Sequence, residues 1–113
     1  MSLSAGLDSD VDDTVTFEFI VQNTATQEIE LTFPTSQRGD VIVHEAKSPE
    51  RVWQWSDGRM FTQAIEHVAL APGQELTLEF EWEDPLAGEY TAVAELTAEV
   101  GATATTSFTV SGE

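Results

Sequence analysis

The sequence predicts an all-β fold, a sandwich of seven or eight short antiparallel strands. Apolar and polar residues alternate with a period of two in several segments, and turn residues rich in Gly, Pro, Asn and Asp recur about every 8 to 12 residues. No segment shows the period of about 3.6 residues that is typical of a long helix. The chain has 113 residues, which is enough for one domain with its own hydrophobic core.

The first 13 residues are polar and acidic, and we expect a flexible lead-in over 1–13 before a single domain over 14–113. Asp8, Asp10 and Asp12 have the spacing that opens a calcium loop. The glycine and the final glutamate of such a loop are missing from the sequence. A solvated acidic segment is therefore favoured over a calcium site.

The first half of the domain contains four segments in which apolar residues suit a strand with one buried face. We expect these strands over 14–22, 28–33, 41–43 and 52–55. Pro34 ends the second of them, and Asp57-Gly58 is a turn signal after the fourth. Residues 60–70 are compatible with a short helical turn and with an irregular edge strand, and both interpretations stay open.

The second half continues the pattern. Residues 71–74 form a tight turn, in which Pro72 presets φ and Gly73 supplies a positive φ. The most regular alternation of the chain follows, and we expect strands over 76–83, 90–97 and 108–110. Tyr90 opens the penultimate strand and fits a tyrosine corner, in which the phenol bonds backbone at the end of a sandwich.

Net charge is the strongest compositional signal. The chain has 21 Asp and Glu against 4 Lys and Arg, a net charge of −17. Such a surface repels phosphate groups, which excludes nucleic acid and anionic membranes as partners. Because 41% of the residues are hydrophobic, the chain is expected to fold despite its charge. The acids are spread over the whole chain, which favours adaptation to a salt-rich environment; a surface for a basic partner is the alternative.

Several kinds of chemistry are absent from the sequence. It has no cysteine, and therefore neither disulfides nor a thiol nucleophile nor a thiolate metal site. No run approaches the roughly 20 apolar residues of a membrane span. Residues 1–6 have neither a cationic start nor an apolar run, so no signal peptide is predicted and the cytoplasm is the expected location, with a trimmed leader as the alternative.

The residues that could support catalysis are few. His44 and His67 have no metal-binding partner at a suitable spacing, and no serine lies in a G-x-S-x-G elbow. Ser56 is better explained as a turn residue that caps its own backbone. We therefore predict no catalytic residue, no metal site, no cofactor and no enzymatic activity.

The positive charge is concentrated in one stretch. The only cations, Arg38, Lys47, Arg51 and Arg59, lie within residues 38–59. The same stretch and the residues just after it contain two tryptophans, a methionine and a phenylalanine. Arginine and aromatic side chains are the usual anchors of protein interfaces. In a chain so poor in cations, we also expect each arginine to have a specific carboxylate or carbonyl partner. Trp53 is expected in the core, whereas Arg59 and Met60 suit a structural role and an interface equally.

Motifs in and around this stretch resemble the BsuPI family of intracellular proteinase inhibitors. The resemblance covers residues 17–90 and is carried by Val21-Gln22-Asn23-Thr24, Leu31-Thr32-Phe33, Ser36-Gln37-Arg38 to Asp40, Val52-Trp53-Gln54-Trp55-Ser56, Met60-Phe61-Thr62-Gln63-Ala64, Leu70-Ala71-Pro72-Gly73 and Trp82. Gly39 and Val41 replace an expected aromatic pair, and 48–50 replaces a glycine-based turn. The motif residues expected to be structural are Asn23, Asp40, Trp53, Trp55, Ser56, Phe61, Gln63, Ala64, Pro72, Gly73, Trp82 and Tyr90.

The resemblance implies an immunoglobulin-like sandwich that inhibits a cytoplasmic subtilisin-type serine protease; a non-inhibitory structural or interaction module is the alternative. An inhibitor of this kind can present a rigid loop to the protease as a poor substrate. Since subtilisin-like clefts accept large apolar side chains, two loops are candidates, 57–61 with Met60 and 84–88 with Leu86. The predicted protein-binding residues are Arg38, Arg59, Met60, Phe61 and Leu86.

Overall fold

The structure, a computed structural model, describes residues 3–111. This range contains nine strands: β1 (Leu3–Val11), β2 (Val15–Asn23), β3 (Ile29–Phe33), β4 (Gly39–Glu45), β5 (Arg51–Gln54), β6 (Glu66–Leu70), β7 (Glu75–Trp82), β8 (Gly88–Leu96) and β9 (Thr103–Val110). Every ladder is antiparallel. The predicted all-β class is therefore confirmed, with one strand more than expected. No helix in the described range is long and apolar enough to cross a membrane.

Two larger sheets form the sandwich. One has the strand order β1-β2-β7 and the other the order β5-β4-β8-β9, while β3 and β6 form a separate two-stranded ribbon. Strand β1 packs beside β9, which closes the sandwich along one side. Strands β5 and β7 are the outer strands at the opposite side, so the sandwich is open there.

The segment expected as a flexible lead-in is a strand over most of its length. Strand β1 pairs with β2 from Leu3 opposite Asn23 to Val11 opposite Val15. Its inward residues are partly or fully buried, and Leu7 belongs to the core. The aspartates that alternate with them face solvent, so the acidic run has the period of a strand. Acidic composition without a glycine turn or an apolar run concealed this strand in the sequence.

Apolar residues at every second strand position fill the core. The largest fully buried apolar side chains come from β2, β3, β4 and β6: Phe17, Phe19, Phe33, Leu31, Leu70, Val15, Val21, Val41 and Val43. Burial of each such side chain stabilises the fold by about 1.5–3 kcal/mol. Trp53 packs against this core, with its ring stacked 6.2 Å from Phe17 and 5.6 Å from Trp82. Gly39 lies so close to β7 and β8 that a Cβ there would be 2.9 Å from Leu78 Cδ1, which leaves no room for an aromatic residue at this position.

The structure shows the conformation of residues 60–70 and the hydrogen bond that Tyr90 makes. Residues 59–65 form an irregular extended loop, and β6 follows it, so the edge-strand interpretation of 60–70 is correct and the helical one is wrong. Tyr90 makes its corner locally, because its hydroxyl donates to the carbonyl of Leu86 at 2.7 Å.

Asn23 joins two turns at one end of the sandwich. This buried side chain donates through Nδ2 to the carbonyls of Gln27 and Leu70, both at 2.9 Å, and accepts from the Ala25 amide at 2.8 Å. Its backbone carbonyl accepts from the amide of Gly73, which has a positive φ of 82°. A buried amide with these partners fixes both turns to the end of β2, since each lost partner would leave a buried polar group unsatisfied.

The side chain of Asp40, on the central strand β4, accepts hydrogen bonds from the end of β5 and from the residues just after it. Its side chain is 3% exposed. Oδ1 accepts from the amides of Val41 at 2.9 Å and Ser56 at 3.0 Å, and Oδ2 accepts from Gln54 Nε2 at 2.6 Å and Ser56 Oγ at 2.8 Å. Ser56 therefore bonds to Asp40, and the expectation that it caps its own backbone is wrong. Three of these four bonds come from Gln54 and Ser56, so the buried carboxylate holds residues 54–56 against β4.

Replacing Asp40 should lower stability strongly. Asp40→Ala leaves four donors without their acceptor, and we expect the free energy of unfolding to fall by about 2–4 kcal/mol in urea titrations. Asp40→Asn keeps one oxygen and should have a smaller effect. The control is Asp57→Ala, which removes an exposed carboxylate a few residues away and should change stability by less than about 0.5 kcal/mol. Equal effects of the two alanine variants would contradict the structural role of Asp40.

Like charges meet directly on the outer face of the β1-β2-β7 sheet. Asp8 lies opposite Glu18, and Glu18 lies opposite Glu79 on the next strand, so three carboxylates form a row across the sheet. Directly opposed like charges destabilise a sheet, and salt weakens that repulsion because the Debye length shrinks to about 3 Å at 1 M.

Removal of the central charge should therefore stabilise the fold only at low salt. We expect Glu18→Gln to raise the free energy of unfolding by about 0.5–1 kcal/mol in dilute buffer, and this gain should disappear near 1 M KCl. Glu28→Gln is the control, since Glu28 is exposed and outside every ladder. Denaturation midpoints for both variants across a KCl series measure the effect. A gain for Glu18→Gln that is independent of salt would contradict the electrostatic explanation.

Candidate protein-binding surface

The segment between β5 and β6 is the most exposed apolar loop among the candidates. We call residues 57–65 the Met60 loop. It begins with a tight turn in which the Asp57 amide donates to the Gln54 carbonyl and the Arg59 amide to the Ser56 carbonyl, both at 3.1 Å. Gly58 has a positive φ of 76°, which the turn needs and which glycine adopts without strain. Asp40, which holds Ser56, thus also positions the start of this loop.

Arg59 fixes the loop on the N-terminal side of Met60. Its guanidinium lies 4.2 Å from the centre of the Trp55 ring, and its Nε donates to the Trp55 carbonyl at 2.8 Å. A cation over an indole face contributes about 0.5–1 kcal/mol at an exposed site. The expected carbonyl partner of this arginine is therefore present, and the side chain holds the loop against β5.

Phe61 and Thr62 fix the loop on the other side of Met60. The Phe61 ring packs 5.8 Å from the Trp55 ring. The Thr62 amide donates to Ser36 Oγ, and the Ser36 amide donates to the Thr62 carbonyl, both at 2.9 Å. These contacts tie the loop to the segment between β3 and β4.

Met60 projects from the middle of these anchors. Its side chain is 96% exposed, although both neighbouring residues are held against the protein. Met60 is thus an apolar side chain almost entirely in water on a backbone that is fixed on both sides, and it is fully accessible to a partner.

Arg38 has internal partners. Its guanidinium forms an ion pair with Glu66 and lies 4.7 Å from the centre of the Phe33 ring. The carboxylate partner expected for an arginine in this sequence is thus found. The interaction ties the segment after β3 to β6, so Arg38 supports the ribbon that flanks the Met60 loop.

Leu86 is exposed but differs from Met60 in its backbone. Its side chain is 77% exposed. Its carbonyl, however, accepts the hydrogen bond from the Tyr90 hydroxyl and is therefore directed toward the protein. In the described part of the chain, the Met60 carbonyl accepts no hydrogen bond.

The twelve motif residues do not share one environment. Ten of them make the internal bonds, ring contacts or turns described for the fold and the loop: Asn23, Asp40, Trp53, Trp55, Ser56, Phe61, Pro72, Gly73, Trp82 and Tyr90. Gln63 and Ala64 are exposed in the Met60 loop. The structure gives these two no internal contact comparable to those of the others, so it does not support the structural role expected for them.

The histidines lie in different sheets. His44 is on β4 opposite Thr91, and His67 is on β6, where its Nδ1 is 3.1 Å from Thr32 Oγ1 and 3.6 Å from Glu30 Oε1. Across residues 3–111, no three His, Cys, Asp or Glu side chains are grouped so that they could hold a metal ion.

Sequence reasoning assigned no role to three residues that hold the Met60 loop and its start against the rest of the protein. Ser36, Gln54 and Thr62 form side-chain or backbone bonds to partners 14 to 26 residues away. Such bonds leave no local pattern. One signal was available: an aspartate between glycine and valine, in a segment that otherwise reads as a strand, is unfavourable unless its carboxylate has partners.

Solved structures with a similar fold come from proteins of different kinds. The CARDB domain of a Pyrococcus furiosus protein, determined in complex with di-metal ions, is 19% identical, with a TM-score of 0.54 and coverage of 99% of this chain and 94% of that one. β-Glucosidases from Kluyveromyces marxianus and Erythrobacter marinus are 17% and 13% identical, with TM-scores of 0.56 and 0.55. The match covers 97% of this chain in both cases, but only 14% and 15% of the two enzymes. At these identities the likeness shows the fold alone, an immunoglobulin-like antiparallel sandwich.

The family comparison is more specific. A comparison with curated protein sequences finds no match. The family described as intracellular proteinase inhibitor, BsuPI, matches residues 3–100, which include every strand from β1 to β8 and the whole Met60 loop. The description of the family suggests a role other than catalysis. Because the match covers most of the chain, the protein belongs to the BsuPI family of intracellular proteinase inhibitors.

Proposed function

We propose that the protein inhibits a cytoplasmic subtilisin-type serine protease, and that Met60 is the side chain inserted into the cleft of the enzyme. The observation that carries the proposal is the exposure of Met60, 96%, between anchors at Arg59 and Thr62. Family membership supports a protease as the partner. The preference of subtilisin-like clefts for large apolar side chains favours methionine at this position.

A fixed loop is favourable for inhibition because less conformational entropy is lost on binding. Each rotamer-rich side chain that becomes ordered costs about 0.5–1.5 kcal/mol, and backbone ordering adds to this cost. The contacts of Arg59 with Trp55, and of Thr62 with Ser36, hold the loop before the protease arrives. The same contacts would oppose the separation of the two chain ends after cleavage, so that a cut loop could be resealed.

The backbone favours Met60 over Leu86 as the inserted residue. In a substrate-like complex, the carbonyl of the inserted residue must reach the oxyanion hole of the protease, where backbone amides donate to it. The Leu86 carbonyl is held by Tyr90 at 2.7 Å, whereas the Met60 carbonyl accepts no bond within the described residues. Insertion of Leu86 would therefore require the tyrosine corner to break.

We infer further that this inhibition takes place in a salt-rich cytoplasm. The net charge of −17 and the row of carboxylates on the outer sheet both favour a solvent in which charge repulsion is screened.

A charge at Met60 should abolish inhibition. Met60→Asp places a carboxylate in an apolar cleft, and we expect inhibition of an intracellular subtilisin to weaken by at least about 100-fold. Met60→Leu should retain it. The matched control is Leu86→Asp, at the other exposed loop, which should inhibit like the wild type. Circular dichroism establishes that the variants are folded. A folded Met60→Asp variant that inhibits normally would contradict the proposal, and loss of inhibition in Leu86→Asp alone would transfer the role to that loop.

Loosening the loop should weaken inhibition without any change at Met60. Ser36→Ala removes the hydroxyl that accepts from the Thr62 amide, a bond with a net contribution of about 1 kcal/mol, so we expect about fivefold weaker inhibition and faster cleavage of the loop. Ser48→Ala is the control, because it removes a similar bond in another turn, in which the Glu50 amide donates to Ser48 Oγ at 3.2 Å. Inhibition constants and the rate of loop hydrolysis are measured. Equal behaviour of both variants would contradict a role for the anchor.

A further inference from the structure

A groove runs along the open side of the sandwich, beside the Met60 loop. It lies between β5 and β7, which are the outer strands of the two larger sheets. We call it the β5–β7 groove; its lining residues are 52–55 with 57 and 59 on one side, and 81–84 on the other. Its volume is about 480 Å³, which is large enough for several side chains of a peptide.

The wall of the groove is aromatic. All three tryptophans of the chain, Trp53, Trp55 and Trp82, line it. Trp53 and Trp82 stack at 5.6 Å, and Trp53 and Trp55 are each only partly buried. Trp82 is buried and Arg59 lies over the Trp55 ring, so the tryptophans offer the groove the exposed parts of Trp53 and Trp55, apolar area on which the alkyl stems of lysine and arginine can pack.

The rim of the groove is negatively charged. Asp57, Glu81, Glu83 and Asp84 line it, against one cation, Arg59, which already lies over the Trp55 ring. Among the described residues, none of these four carboxylates forms a salt bridge. Charge within the groove is therefore not balanced by the protein itself, and a cationic occupant would complement it.

The groove also has a free strand edge. Within residues 3–111, strand β5 pairs with β4 on one side only, so its outer backbone groups can bond to an added strand. Extended peptides commonly bind such edges, with main-chain hydrogen bonds supplying affinity and the alternating side chains supplying specificity.

We propose that the β5–β7 groove binds an extended segment of a protein partner that carries lysine or arginine at alternate positions. The added segment bonds to the edge of β5, the alkyl stems of its cationic side chains pack on the exposed parts of Trp53 and Trp55, and their charged ends lie between the carboxylates, while its other side chains face solvent. A second copy of this chain is a poor occupant, because it brings a net charge of −17 to the same acidic rim. This inference does not depend on the inhibition proposed for Met60.

Capped heptapeptides test the groove directly. The probe alternates lysine with threonine, a second peptide has glutamine in place of lysine, and a third is the lysine peptide with alternate backbone amides N-methylated. Because every tryptophan lines the groove, tryptophan fluorescence reports binding, and amide chemical shifts of β5 report where the peptide lies. Titrations are made at the lowest KCl concentration at which the far-ultraviolet circular dichroism is that of the folded protein.

The lysine peptide should bind and shift the β5 amides, while the glutamine and N-methylated peptides should bind at least about fivefold more weakly. The double variant Glu81→Gln/Glu83→Gln should weaken binding of the lysine peptide by about fivefold or more. The control Glu28→Gln/Glu99→Gln removes the same charge from exposed positions elsewhere and should change binding less than twofold.

Three results would overturn the inference. The two double variants could weaken binding equally, which would mean that only net charge matters. The glutamine or the N-methylated peptide could bind as well as the lysine peptide, which would exclude charge recognition or strand addition. Sedimentation could show a dimer whose formation shifts the same β5 amides, which would make a second copy the occupant. None of these measurements uses a protease, so they leave the role of Met60 to its own test.

Discussion

The buried carboxylate of Asp40 is the constraint on which the exposed surface depends. It lies on a central strand of the core and accepts four hydrogen bonds, three of them from Ser56 and Gln54. The Trp55 amide adds a bond to the Val41 carbonyl at 2.9 Å. Ser56 in turn accepts from Arg59, which places Met60 one residue beyond a fixed point. A rigid core position is thus connected to an almost fully exposed side chain within a few residues, and the loop is positioned by the Asp40 bonds together with its own contacts at Arg59 and Thr62.

Local periodicity predicted the strands in which apolar residues alternate regularly with polar ones, because there the burial of each side chain follows from its position in the strand. Residues 75–82 alternate apolar and acidic side chains and form β7, because strand period and burial coincide there. Strand β1 was missed because its outward positions are Ser, Gly and Asp, which favour turns, and its stability comes from pairing with β2. The Asp40 cluster and the Ser36–Thr62 bonds join residues far apart in sequence, so only the folded chain brings their partners together.

The sequence predicted which loops could form the candidate site, but it did not distinguish between them. The sequence shows a methionine just after a glycine-containing turn, and it shows that the cations are confined to residues 38–59. What sets Met60 apart from Leu86 is a backbone property, the bond of the Leu86 carbonyl to Tyr90, and composition carries no trace of it. The acidic residues likewise acquire their neighbours only in three dimensions: Asp8, Glu18 and Glu79 form a row across a sheet, and Glu81 and Glu83, farther along the same edge strand or just after it, border the groove.

We propose that this fold presents Met60 to a protease as a substrate would. The most direct measurement is the inhibition of an intracellular subtilisin by the wild-type chain, at several concentrations of a peptide substrate and in molar KCl. We expect competitive inhibition, in which the apparent KM rises while kcat stays constant, because the loop and the substrate would occupy the same cleft. A lowered kcat with unchanged KM, or no inhibition at any substrate concentration, would contradict it.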